Sequence, residues 1–92
     1  MKRAVLLLSA AVLLGGCGTT LVGRDRCAAN LEAAWQEMDS AKVAGFAGTV
    51  SFAKAVGLLT SAKTQQALDN FARCADEAER ASFFLAESRK GR

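Results

Sequence analysis

The chain has 92 residues, of which 51% are hydrophobic and 23% charged, with a formal net charge of +3, three cysteines, no proline and no histidine. That length leaves room for one small domain, and so apolar a composition excludes a disordered chain. The absence of histidine removes the commonest metal ligand and the commonest general base. Serine and threonine have no histidine to activate them, and no Gly-x-Ser-x-Gly turn, phosphate loop or zinc spacing occurs. The sequence therefore points away from an enzyme, a cofactor and a metal. Abundant alanine without proline favours helix.

In chain order, Lys2 and Arg3 form a short positive segment, and Ala4–Leu14 is an apolar run of 11 residues broken only by Ser9. A membrane-spanning helix needs roughly 20 apolar residues, so this run is too short to be one. Leu14-Gly15-Gly16-Cys17 follows directly. This tripartite arrangement resembles that of bacterial lipoprotein precursors, whose lipobox places an aliphatic residue and two small ones before the cysteine that becomes the mature N-terminus. The resemblance covers residues 1–17. It implies that residues 1–16 are a removed signal peptide, that Cys17 is acylated, and that the protein is anchored in a membrane by that lipid. An aspartate after the acylated cysteine retains such proteins in the inner membrane of enteric-type bacteria. Gly18 stands there instead, which implies the periplasmic face of the outer membrane.

From Cys17 onward ten Lys/Arg face nine Asp/Glu. The high isoelectric point of about 9.0 is therefore largely a property of the leader and gives no reason to expect nucleic acid as a partner. Residues 17–24 read as the acylated cysteine and a short tether, and residues 25–92 as a small α-helical domain. Cys27 and Cys74 are the two cysteines left in an oxidising compartment. One intramolecular bond, two buried thiols, or bonds between chains are the alternatives. The first would close a loop of about 48 residues and remove roughly 4 kcal/mol of unfolded-state entropy. No Cys-x-x-Cys is present, so thioredoxin-like redox chemistry is not expected.

The expected fold is all-α: a disulfide-stapled antiparallel helical hairpin with a short third helix near the bend. Cys27, Leu31, Ala34/Trp35, Met38 and Ala41 recur at helical spacing and predict a helix from Asp25 to about Ala44, with Trp35 in the core. Gly45 and Gly48 interrupt it. Thr49 or Ser51 is placed to cap a short helix reaching Leu59. Thr60 or Ser61 would cap a long helix over about 62–89, with Leu68, Phe71, Ala75, Ala78, Ser82 and Leu85 as its seam. Asp69, Arg73, Glu77 and Asp76, Arg80 stack at four-residue spacing and predict a solvated ion-pair face. Pairing Cys27 with Cys74 in an antiparallel register centres the turn near residue 50, where helical signal is weakest.

Few features suggest function. Ala41, Gly45, Thr49, Ala53, Gly57 and Ser61 are small residues every four positions, among Phe46, Phe52 and other apolar residues. They either fill the core at the bend or make a close-packing ridge for a partner. Adjacent helical residues lie about 100° apart, so Phe83 and Phe84 cannot share one stripe, and one of them is expected outside the seam. Phe46, Phe52, Phe83 and Phe84 are thus the candidate contact residues for an envelope protein partner. Arg89, Lys90 and Arg92 suit the negative end of the last helix. The expected role is a non-enzymatic structural or accessory component of the cell envelope. A phage-derived lysis-type outer-membrane lipoprotein and a carrier of a small apolar ligand are the alternatives.

Overall fold

A computed structural model describes the backbone of residues 2–92 and the side chains of residues 23–92. The chain forms three helices, α1 (Lys2–Val43), α2 (Val50–Ala67) and α3 (Phe71–Ser88), with no strand among the described residues. The lipobox and the Cys17 thiol lie outside the described side chains. Helix α1 runs through Asp25 without a break.

Helices α2 and α3 form an antiparallel hairpin: Lys54 near the start of α2 lies against Phe84 near the end of α3. Helix α1 runs beside α3 in the same direction. Arg24 reaches Phe71, Cys27 is bonded to Cys74, and Asn30 donates to the Ala75 carbonyl, so partners advance together along both helices. The burial pattern agrees. Cys27, Leu31, Ala34 and Ala41 are buried, and so are Cys74, Ala78, Ala81 and Ser88, each 47 positions later. The all-α fold, the antiparallel hairpin and the Cys27–Cys74 bond are all present, but the disulfide joins parallel helices rather than the two arms of the hairpin.

The position of the second turn explains this arrangement. Helix α2 does not stop at Leu59. Thr60 Oγ1 donates to the Val56 carbonyl at 2.9 Å and Thr64 Oγ1 to the Thr60 carbonyl at 3.1 Å, so both hydroxyls are used inside the helix rather than as caps. The turn comes at Leu68–Asn70. There the Asp69 N–H donates to the Gln66 carbonyl and the Asn70 N–H to the Gln65 carbonyl, the two bonds of a Schellman motif. Asp69 occupies its left-handed position, with φ 59°. Leu68 accordingly ends α2 and is 69% exposed, outside the seam expected of it.

The first turn uses the same motif with the residue best suited to it. Gly45, at φ 94°, donates to the Lys42 carbonyl, and Phe46 donates to the Ala41 carbonyl. Thr49 then caps α2: its Oγ1 accepts from the Phe52 N–H at 3.2 Å and donates to the Phe46 carbonyl at 2.9 Å. The Ser51 N–H, free in an isolated helix, donates to the Arg92 carbonyl. Replacing Asp69 by glycine relieves the left-handed strain while giving the unfolded chain more freedom. The expected net gain is about 0.5 kcal/mol, or a rise in Tm of roughly 2–4 °C, and a fall in Tm would contradict the strain argument.

The core is built largely from alanine. Ala34, Ala41, Ala55, Ala62, Ala78 and Ala81 are inaccessible, with Leu59, Leu85, Cys27 and Cys74 as the largest apolar side chains among them. Ala75, Phe52 and Leu31 complete it, and Met38, Phe46, Leu58, Phe71 and Phe84 pack on its edge. Small side chains leave little room between helices and little apolar area to bury. A fold of this size therefore gains much from a covalent staple.

Candidate functional site

The staple is the centre of the structure. Cys27 and Cys74 are fully buried with their Cα atoms 5.3 Å apart. Beside it Asn30 Nδ2 donates to the Ala75 carbonyl at 3.1 Å, a second tie between α1 and α3. Asn30 carries no signal of its own in the sequence, except that it lies three positions after a seam residue and so faces the same neighbour.

The four phenylalanines proposed as contact residues are spread through the bundle. Phe52 is 8% exposed and belongs to the core. Phe46, in the α1–α2 connection, and Phe84, on α3, are half-buried at its edge. Phe83 is 60% exposed, with its ring edge-on to Phe84 at 5.3 Å between centroids. The 100° step between neighbours thus divides this pair as its sequence requires. Trp35, by contrast, is 38% exposed rather than in the core. Ala34 takes the inward position in a narrow alanine seam, which turns the indole to the rim, where Lys63 Nζ lies 5.9 Å from its centroid.

The small residues from Ala41 to Ser61 do not share one surface. Ala41 is buried at the end of α1, Gly45 sits in the turn, and Ala53 and Gly57 are exposed on α2. The acidic cluster is also rearranged. Glu77 is buried rather than solvated: Arg73 Nε contacts its Oε1 at 3.3 Å, while its Oε2 is inaccessible and without a hydrogen-bond partner. Asp76 and Arg80, expected to pair, form no ion pair.

The basic C-terminal residues act through Glu87. Lys90 Nζ and Arg92 Nη1 lie 3.2 and 3.0 Å from its carboxylate oxygens. Hydrogen bonds from Lys90 first, then Arg92, hold the Glu87 carboxyl below its ordinary value of 4.5, against a smaller opposing effect of desolvation. A carboxyl depressed in the folded state contributes stability above its unfolded value and loses that contribution as pH falls through the folded one. Glu87→Gln is therefore expected to flatten the decline in Tm below about pH 4.5 while leaving the slope near neutrality unchanged. A parallel decline in both proteins would rule out this linkage.

Among the described residues no helix is long and apolar enough to cross a membrane. Among the same residues no three or more His, Cys, Asp or Glu side chains converge as metal ligands. Compared with known proteins, the chain matches no protein-family model, no curated sequence and no solved structure.

Proposed function

We propose that the protein is a lipid-anchored, non-enzymatic component of the bacterial cell envelope, held on the periplasmic face of the outer membrane through acylated Cys17. The observation that carries this reading is the order Lys2-Arg3, Ala4–Leu14, Leu14-Gly15-Gly16-Cys17 in front of a disulfide-bonded helical domain. The apolar run suits an export signal better than a permanent membrane span. A buried Cys27–Cys74 bond suits an oxidising compartment. Two or more acyl chains, at about 0.8 kcal/mol per buried methylene, make such attachment lasting.

The role beyond anchoring is structural or accessory, with Phe83 the contact residue most open to an envelope protein partner. A carrier of an apolar ligand buried between the helices is disfavoured by the inaccessible alanines that fill that space. Metabolic labelling with an alkyne palmitate tests the anchor. The parent protein is expected to be labelled and to sediment with outer membranes. Cys17→Ser is expected to lose the label and to migrate as the longer, unprocessed precursor. An unlabelled parent, or a variant with unchanged mobility, would overturn the proposal.

A further inference from the structure

Helices α2 and α3 leave an open groove of about 410 Å³ on one side of the bundle, lined by Lys54, Gly57, Leu58, Arg80 and Phe84. Its floor is apolar, made by the half-buried Leu58 and Phe84, and its rim carries two exposed cations. Neither cation is engaged by a carboxylate within 4 Å among the described residues. Lys54 Nζ stands 5.4 Å from the Phe84 ring centroid, while Arg80 is free of the Asp76 partner that its spacing offers.

Gly57 is the feature that the fold leaves unexplained. It lies inside an 18-residue helix, where glycine costs about 1 kcal/mol relative to alanine. Its φ is not positive, and a Cβ added there would meet nothing within 4 Å. Neither backbone conformation nor close packing requires it. What its missing side chain does is keep the wall between Lys54 and Leu58 low.

We infer that this groove binds a single-chain anionic amphiphile, a fatty carboxylate of medium length, with the carboxylate on Arg80 and the chain along Leu58 and Phe84. The guanidinium presents two parallel donors that match a carboxylate, and Lys54 adds a second positive charge at the rim. The volume lies in the range of small-molecule sites, about 300–1,000 Å³. The inference does not depend on the lipid anchor.

The test uses the full chain as purified from cells and a dodecanoate carrying a photoactivatable diazirine. After irradiation, mass spectrometry is expected to find the label concentrated in the 54–58 and 80–84 segments. Excess dodecanoate is expected to suppress it and dodecanol to leave it unchanged. The double variant Lys54→Gln/Arg80→Gln, and separately Gly57→Leu, are each expected to cut labelling at least tenfold with helical content preserved. Gly57→Ala, which raises the wall by a single carbon, is expected to label between the parent and Gly57→Leu. Label spread over the whole chain, equal competition by dodecanol, or equal labelling of the correctly folded variants would each overturn the site.

Discussion

Replacing Cys27 and Cys74 together by alanine is expected to destabilise the domain by about 4 kcal/mol, because it frees a loop spanning 47 positions in the unfolded chain. The effect is large in proportion as well as in absolute terms. Small domains commonly have only 5–15 kcal/mol in total, and this one buries mostly alanine. The urea midpoint of the double variant should fall steeply, and dithiothreitol should shift the parent towards the same value without affecting the variant. Equal midpoints for parent and variant in the absence of reductant would mean that the helices hold their register without the bond. Alanine is the suitable replacement because both sites are fully buried, and a serine hydroxyl there would add an unrelated desolvation cost.

The second large effect is expected at Leu85, which is fully inaccessible near the end of α3. Truncation to alanine removes buried methylenes and leaves a cavity, at a cost of about 3 kcal/mol. More than half of the buried apolar cluster to which it belongs is alanine, whose side chain is too short to reach into such a space. The predicted cost therefore lies above that of a residue surrounded by flexible side chains. Phe83→Ser, two residues away but 60% exposed, should change stability by no more than about 0.5 kcal/mol. Denaturant titrations of the two variants side by side would separate core from surface, and similar losses in both would contradict this assignment.

The elements themselves were legible where a residue has a local reason to be as it is. Gly45 announces the first turn because glycine adopts a positive φ freely, and Thr49 announces the cap because its hydroxyl can meet the Phe52 N–H. The inward faces of α1 and α3 follow from three- and four-residue spacing, and pairing the two available cysteines follows from their number. Asp69 gave no such warning. It holds a left-handed conformation without being glycine, so the second turn is hidden inside what reads as continuous helix. That omission has a global consequence. A contact between residues 27 and 74 is compatible with either relative direction of their helices, and the number of intervening turns decides between them. Two turns make the first and third helices run the same way.

The candidate sites were less legible for a related reason. Periodicity locates a stripe but not its width. Trp35 shares the stripe with Ala34, yet the alanine core is too narrow to take both, and the indole stays at the rim. Glu77 belongs to a charged repeat but falls on the inward side of α3, so its carboxylate is buried although Arg73 reaches it. The α2–α3 groove combines residues from two helices whose alignment depends on the turn at Asp69. No inspection of either helix alone brings Lys54, Gly57 and Arg80 together.

The bond between α1 and α3 also fixes how the domain would bear tension. If it is pulled at residues before Cys27 and after Cys74, the load passes across the sulfurs and bypasses residues 28–73, which stay slack. Helix α2, both interhelical turns and residues 28–43 of α1 are thereby spared. The load falls instead on the segments outside the covalent loop, among them residues 75–88 of α3 with the core side chains Ala78, Ala81 and Leu85, so a pull at the C-terminal end would open the bundle by peeling away α3 while the linkage keeps the rest closed.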